Sequence, residues 1–241
     1  MADTDDLILS LSKDARSRST SSEPSKDAAP VSLRGYLRDP DAIYRESFAI
    51  IRREARLAHL PADIADTAVR LIHACGMIDI IDDLAFTPEV VARARDALAR
   101  GAPILCDSAM VAAGVMRAKL PARNEIVCTL DDARVPDLSR ALKTTRSAAA
   151  VELWAGRLAG AVVAIGNAPT ALFHLLEKLE REPQRPAAVL AFPVGFVGAA
   201  ESKQALIDAR LGVPFLTLKG RRGGSALAAA AANALLIGAE P

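Results

Sequence analysis

The chain has 241 residues, of which 51% are hydrophobic, so it is long enough to bury a sizeable core. Its 30 Lys and Arg residues balance 29 Asp and Glu residues, which excludes a strong overall field that would attract nucleic acid or an anionic membrane. Aromatic residues make up only 4% of the chain and leave little material for base stacking, so we expect no nucleic acid partner.

The cysteines and the first residues indicate a cytoplasmic protein. Cys75, Cys106 and Cys128 are odd in number and far apart, which predicts neither a disulfide framework nor a metal site. The chain starts with acidic residues, where a secretory signal or a mitochondrial presequence would be basic. Its longest apolar stretch is shorter than the ~20 residues of a membrane span, so we expect no membrane association.

Two regions differ in hydrophobic pattern near the start of the chain. Residues 1–33 are rich in Ser, Asp, Lys and Arg and lack a hydrophobic period, which predicts a disordered tail. Beyond it, Ile43, Phe48 and Ile51 recur at helical spacing, and Pro61 opens a second helical pattern. We predict one domain over residues 34–241, because no linker or repeat interrupts it.

After Asp96, short apolar runs alternate with longer helical patterns. This alternation predicts an α/β fold: a single three-layer domain whose mostly parallel central sheet is flanked by helices. Ligands of such sheets bind beyond the carboxyl ends of the strands, so the segments after the runs are candidate ligand loops. The runs are residues 103–106, 126–130, 161–165, 188–192 and 213–218, and the helical patterns lie around residues 108–118, 146–158, 169–181, 200–210 and 224–237.

The first candidate loop is Ile165-Gly166-Asn167-Ala168-Pro169-Thr170. The predicted strand ends in Gly and Asn, and Pro169 suits the first turn of a helix. The unpaired N–H groups of that helix could bind an anion or a carbonyl group. A tight turn without a ligand is an equally good interpretation of these residues alone.

The second candidate loop follows the run at residues 188–192 and contains Gly195, Phe196 and Gly198. Its two glycines permit close approach of the backbone to a ligand, and a planar hydrophobic ligand could lie there. The Gly-x-Gly-x-x-Gly fingerprint of dinucleotide-binding folds is absent, so we predict no NAD site.

The third candidate loop contains Lys219, Arg221 and Arg222 among glycines, directly before an Ala-rich helical pattern. Its cations predict recognition of carboxylates. The alternative is a solvated basic loop with no ligand. Adjacent arginines in an extended loop cannot both face one ligand.

His73 lies in a helical pattern that ends at Gly76. An imidazole can transfer protons near neutral pH, although a lone histidine in an apolar helix is more often a core residue. His59 and His174 have no comparable setting. No histidine or cysteine cluster has metal-ligand spacing, and no Gly-x-Ser-x-Gly elbow is present, so neither a metal site nor a serine hydrolase is predicted.

Taken in order, these segments resemble the precorrin-8X methylmutases. The resemblance implies migration of a methyl group from C11 to C12 of a tetrapyrrole with several carboxylates, which converts precorrin-8X to hydrogenobyrinate without a cofactor. It also implies a homodimer. The segments that carry it include residues 42–52, His73-Ala74-Cys75-Gly76, residues 101–107, Thr144-Thr145-Arg146-Ser147-Ala148, residues 164–170 and residues 193–203.

Roles for single residues follow from the resemblance. It implies that His73 is the catalytic proton donor or acceptor and that Ser47 binds substrate. Arg146 is suited to pair with a substrate carboxylate. The remaining predicted substrate-binding residues come from the three loops: Asn167, Gly195, Phe196, Gly198, Ser202 and Lys219.

Three alternatives stay open at this point. The substrate could be the cobalt-containing analogue, cobalt-precorrin-8. The protein could instead be a carrier that holds a corrinoid without catalysis. A dinucleotide-binding enzyme is disfavoured by the missing glycine fingerprint.

Overall fold

Six strands form one sheet in the computed structural model, which describes residues 35–237. The strand order is β1-β6-β5-β4-β2-β3. β2 to β6 are parallel and β1 pairs antiparallel with β6, so the predicted mostly parallel sheet is confirmed. The predicted tail, residues 1–33, lies outside the described residues. The strands are β1 (Leu84–Phe86), β2 (Ile104–Cys106), β3 (Ile126–Cys128), β4 (Val162–Ile165), β5 (Ala188–Ala191) and β6 (Phe215–Leu218).

Helices cover both faces of the sheet, as the sequence predicts. They are α1 (Pro40–Glu54), α2 (Ala62–Cys75), α3 (Val90–Ala99), α4 (Ala109–Gly114), α5 (Val135–Ala141), α6 (Arg146–Glu152), α7 (Pro169–Arg181), α8 (Ala199–Asp208) and α9 (Ser225–Ile237), with 3-10 helices at Ile78–Asp83 and Arg117–Lys119. The sequence patterns do not predict β1, α3 or α5. β1 has only three residues, which is too short to show an alternating pattern.

The central strands bury both of their faces. In β5, Ala188 and Leu190 lie in one hydrophobic core, whereas Val189 and Ala191 lie in the other. This alternation follows from the twofold period of a strand, and it explains why the parallel strands are continuous apolar runs. Each fully buried Val or Leu stabilises the fold by about 1.5–3 kcal/mol.

Helix α9 is almost entirely apolar because most of its residues are buried. It contacts β4 and β5 of the sheet and also α2 and α4. The approach is close: a Cβ at Gly114 of α4 would lie 2.6 Å from the Cβ of Ala229, so only glycine fits there. Since α9 carries mostly alanine on these faces, α2 packs tightly against it.

Within residues 35–237, no helix combines the length and the apolar character that a membrane crossing requires. The compact unit that contains the sheet begins at Asp39.

Candidate active site

His73 lies in the last turn of α2 and is exposed to solvent. The helix ends at Gly76, which has a left-handed backbone (φ 70°) and closes the helix through an N–H bond to the Ile72 carbonyl. The Nδ1 atom of His73 lies 3.0 Å from the hydroxyl of Ser47 on α1. The structure thus brings together His73, for which the resemblance implies proton transfer, and Ser47, for which it implies substrate binding.

Two aromatic rings of α1, which also contact each other, pack against the imidazole. The Tyr44 ring lies 5.3 Å from the His73 ring at an interplanar angle of 33°, and the Phe48 ring meets it edge-on at 5.2 Å. Tyr44, Ser47 and Phe48 are three and four residues apart, so one face of α1 presents all of them to His73. Nε2 of His73 has no protein partner among the described residues, which leaves it accessible to a ligand.

Two surface cavities, of about 130 and 230 Å³, share His73 as a wall. Tyr44 and Arg70 line the smaller one, and Ser47 lines the larger one. Each cavity is smaller than the roughly 300–1,000 Å³ that encloses a drug-sized ligand, so a larger ligand must lie across the open surface around His73.

Arg70 brings a positive charge to this surface. Its guanidinium stacks over the Phe48 ring at 5.2 Å and lines the same cavity as His73. Partial burial lowers the pKa of Arg70, while Tyr44 and Asp66 act in the opposite direction. No motif of the sequence selects Arg70, although its position is a signal: Arg70 precedes His73 by one helical turn on α2.

The loop between β4 and α7 is bound by a buried carboxylate of the protein. The N–H groups of Gly166, Asn167 and Ala168 donate to the buried carboxylate of Asp107, at 2.9, 2.9 and 2.8 Å. Burial raises the pKa of Asp107, whereas these three N–H groups lower it. These three N–H groups, which lie before the first residue of α7, are therefore occupied by a carboxylate of the protein, and binding of an anion by the N–H groups of α7 itself stays a prediction. The exposed Asn167 side chain is not involved.

The loop between β5 and α8 presents an apolar tip. Phe196 is 84% exposed and Val197 is 89% exposed, and the Arg221 guanidinium lies 5.4 Å from the centre of the Phe196 ring. Gly198, which precedes α8, has a φ of 80°, a conformation that side chains rarely adopt. This loop therefore exposes apolar side chains beside Gly195 and Gly198, and binding of a planar hydrophobic ligand there stays a prediction.

Ser202 does not fit its predicted role. It is fully buried, and its hydroxyl donates to the Ala199 carbonyl within α8 at 3.2 Å. A buried hydroxyl that is already bonded to its own helix cannot contact a ligand at the surface, so the structure argues against Ser202 as a substrate-binding residue.

Arg146 begins α6 and is largely exposed, as a ligand-binding cation should be. Its Nη2 lies 3.3 Å from the Leu130 carbonyl and 3.4 Å from the exposed Asp131 carboxylate. Thr145 caps α6, and its hydroxyl also lies 2.8 Å from that of Thr170. These contacts place Arg146 beside the start of α7, near Asn167.

The three cations of the loop between β6 and α9 have different surroundings. Lys219 is exposed, and Arg221 stacks on Phe196. Arg222, in contrast, pairs with Asp79 at 2.6 Å and with Asp83 at 2.5 Å. Arg222 is therefore neutralised by the protein and is not a candidate for substrate carboxylates.

The candidate residues thus form two groups. One surrounds His73 on α1 and α2, and the other follows the carboxyl ends of the strands. Within the part of the chain that the structure describes, no group of three or more histidine, cysteine or acidic side chains is placed to hold a metal ion.

The comparisons with known proteins agree on one family. The family described as precorrin-8X methylmutase matches residues 42–237. A precorrin-8X methylmutase of Pseudomonas aeruginosa is 60% identical over 83% of this chain and 96% of its own length. A precorrin-8X methylmutase of Sinorhizobium is 58% identical over 83% of this chain and 95% of its own length.

More distant relatives include a cobalt-precorrin-8 methylmutase of Salmonella typhimurium, 37% identical over 83% of this chain and 96% of its own length. Among solved structures, the precorrin-8X methylmutase of Thermus thermophilus superposes with a TM-score of 0.72 at 37% identity. That match covers 81% of this chain and 96% of the Thermus chain.

Proposed function

The chain belongs to the precorrin-8X methylmutase family of isomerases, and we propose that it converts precorrin-8X to hydrogenobyrinate with His73 as the residue that transfers the proton. The observation that carries this proposal is the setting of His73. Its imidazole is exposed, contacts two aromatic rings and is bonded through Nδ1, which leaves Nε2 available for a ligand.

The Ser47 hydroxyl determines how this imidazole can act. In the protonated ring, Nδ1–H donates to the Ser47 oxygen, and Nε2–H is free for the substrate. Transfer of the Nε2 proton to the tetrapyrrole redistributes its conjugated electrons and lowers the barrier to migration of the methyl group from C11 to C12. Nε2 then takes back a proton, so the enzyme returns to its starting state and the substrate is only isomerised. Ser47 acts in this scheme through His73.

Cations near the site supply the attraction that a nearly neutral chain lacks. Arg70 lines the cavity beside His73 and adds positive charge to this surface. We propose that Arg146, Lys219 and the Asn167 side chain bind further substrate groups. The exposed Phe196 between Gly195 and Gly198 is suited to the apolar face of the ring.

The degree of identity supports the cobalt-free substrate. The relatives named precorrin-8X methylmutase are 60% and 58% identical, whereas those named cobalt-precorrin-8 methylmutase are 30–37% identical. We therefore propose precorrin-8X rather than its cobalt complex as the substrate.

We further propose that the protein is a cytoplasmic homodimer. The three cysteines are free, which suits a reducing compartment. The small cavities at His73 leave a macrocycle partly uncovered, and a second copy could cover it. Light scattering after size-exclusion chromatography tests the dimer, and a mass of about 25 kDa at all concentrations would contradict it.

The assay that tests the function follows the visible spectrum of anaerobic precorrin-8X with the wild type and with His73→Ala. We expect conversion to hydrogenobyrinate by the wild type and not by the variant. Equal conversion by both proteins would refute the role of His73. Tight binding without conversion by the wild type would support a corrinoid carrier, and conversion of only the cobalt complex would support the other substrate.

A further inference from the structure

Arg222 joins the loop between β6 and α9 to the segment that follows His73. Its Nη1 and Nη2 atoms reach the carboxylates of Asp79 and Asp83, at 2.6 and 2.5 Å. Both aspartates lie on the 3-10 helix Ile78–Asp83, which begins directly after the turn that ends α2. A guanidinium that bridges two carboxylates is held in one orientation, unlike an ordinary surface ion pair.

The main chain of the same loop is held from the other side by Lys203. This lysine on α8 is fully buried, and its Nζ donates to the Arg222 carbonyl at 2.6 Å. No carboxylate lies within ion-pair distance of Nζ among residues 35–237. Burial of a lysine without such a partner is costly, so the contact with Arg222 indicates that the position of this loop matters.

Backbone contacts complete the attachment of the loop. The Gly224 N–H donates to the Phe192 carbonyl at 2.7 Å, and the Lys219 N–H donates to the Asp83 carbonyl at 2.8 Å. A Cβ at Gly223 would lie only 2.3 Å from the Phe192 oxygen, so the two backbones touch at this point. The loop is therefore fixed to the end of β5 as well as to the 3-10 helix.

The loop held in this way carries two exposed cations. Lys219 points to solvent, and Arg221 stacks on the exposed Phe196. Neither side chain has a carboxylate partner in residues 35–237. Their positive charges are thus free for a ligand, whereas that of Arg222 is neutralised by Asp79 and Asp83.

We infer that Arg222 and Lys203 are positioning residues, which together fix the loop of residues 219–224 to the segment behind His73 so that Lys219 and Arg221 face the substrate carboxylates. The identity of the ligand in this inference rests on the proposed function, but the attachment of the loop does not. Arg222 acts through the loop, so its loss should weaken substrate binding more than it slows the chemical step.

A matched control exists on the same 3-10 helix. Arg56 pairs with Asp82 at 2.6 Å, but it follows α1 and does not contact the loop of residues 219–224. Arg56→Ala therefore removes an ion pair of the same type from the same helix while leaving the loop attached.

The first test measures hydrogen exchange by mass spectrometry in the wild type, Arg222→Ala and Arg56→Ala, without any ligand. We expect peptides that contain residues 219–225 to exchange about tenfold faster or more in Arg222→Ala only. Unchanged exchange of the loop in Arg222→Ala would overturn the inference, as would equal acceleration in both variants. This test does not depend on the proposed function.

The second test measures kcat and KM with precorrin-8X. We expect KM to rise about five- to thirtyfold in Arg222→Ala, with kcat changed less than about twofold, and both to stay at the wild-type values in Arg56→Ala. Arg222→Lys, which keeps the charge but cannot bridge two carboxylates, should give an intermediate KM. This variant takes the place of Arg222→Ala in the test if Arg222→Ala does not fold. An unchanged KM in both Arg222 variants, or a loss confined to kcat, would refute the positioning role. A wild type that does not convert precorrin-8X would refute the proposed function instead.

Discussion

The Ser47 hydroxyl lies 3.0 Å from Nδ1 of His73 and joins α1 to the last turn of α2. Because this contact leaves Nε2 for the substrate, Ser47→Ala should lower kcat while the imidazole itself is kept. In the protonated ring this is a hydrogen bond to a charged group, worth about 1.5–3 kcal/mol, which corresponds to a roughly 10- to 150-fold loss. Kinetics of the purified variant measure the effect.

Ser47→Thr is the control, because it keeps a hydroxyl at the same position. It should retain more activity than Ser47→Ala. Equal kcat for Ser47→Ala and the wild type would show that His73 does not need this hydrogen bond.

Asp107 should stabilise the fold more than an exposed carboxylate does. Its oxygens accept three backbone N–H bonds from the loop between β4 and α7. In Asp107→Asn, the amide NH₂ faces an N–H donor instead, so at least one buried donor loses its acceptor. We expect a loss of about 1–3 kcal/mol in the free energy of unfolding, measured with urea.

Asp208→Asn provides the comparison for Asp107. Asp208 is exposed and accepts only a hydrogen bond from the Gln204 side chain within α8. Its replacement should change the stability by less than about 0.5 kcal/mol. Similar losses for the two variants would contradict the structural role of Asp107.

Sequence patterns predicted the sheet better than they predicted the site. The parallel strands are buried apolar runs, and buried runs of this kind are visible in the sequence. The motifs also selected His73 and Ser47. The packing of Tyr44 and Phe48 around His73 depends on how α1 crosses α2, which no local pattern shows. The bonds from Asp107 to the loop at Gly166 likewise join distant parts of the chain.

Three polar groups that could contact a ligand are occupied by partners within the fold. The N–H groups at residues 166–168, the Ser202 hydroxyl and the Arg222 guanidinium are all suitable ligand contacts in a sequence. In the fold, each has a partner within the protein, because buried polar groups must be hydrogen-bonded. Residue type alone cannot show whether a polar group is still available after folding.

An ion-pair network between α6 and α7 should make the free energy of unfolding depend on pH in the acidic range. Glu152 contacts His174 at 2.6 Å and the buried Lys178 at 3.0 Å, and Lys178 also pairs with Glu182. Burial opposes ionisation of Glu152, but the hydrogen bonds from Lys178 and His174 outweigh it and lower its pKa. The folded carboxylate thus binds its proton more weakly than the unfolded one, and stability is lost as the pH falls through the folded pKa.

Urea unfolding of the wild type and Glu152→Gln, measured from pH 7 to pH 3, tests this expectation. The variant should be less stable at pH 7 by about 1–3 kcal/mol, because the buried Lys178 loses one of its two carboxylate partners. The difference should shrink towards pH 3, where the wild-type carboxylate becomes protonated. A difference that is constant with pH would contradict the role of the Glu152 charge.

Lys203 should make the free energy of unfolding depend on pH in the alkaline range, and with the same sign. Burial lowers the pKa of Lys203 to about 8, although Asp83 acts in the other direction. Between this value and the usual pKa of about 10.4, the unfolded chain binds the proton more readily than the folded protein does. The free energy of unfolding should therefore rise with pH in this range, by about 2 kcal/mol between pH 7.5 and pH 9.5 from Lys203 alone.

Lys203→Met isolates this contribution, because it removes the ionisable group and keeps most of the buried side chain. Other groups also titrate, so the quantity to compare is the change between pH 7.5 and pH 9.5 in the two proteins. The wild type should gain about 2 kcal/mol relative to Lys203→Met as the pH rises, which urea unfolding at each pH can resolve. Parallel pH profiles for both proteins would show that Lys203 keeps its proton throughout this range. The cost of burying its ammonium group would then have to be offset by further interactions besides the hydrogen bond to the Arg222 carbonyl.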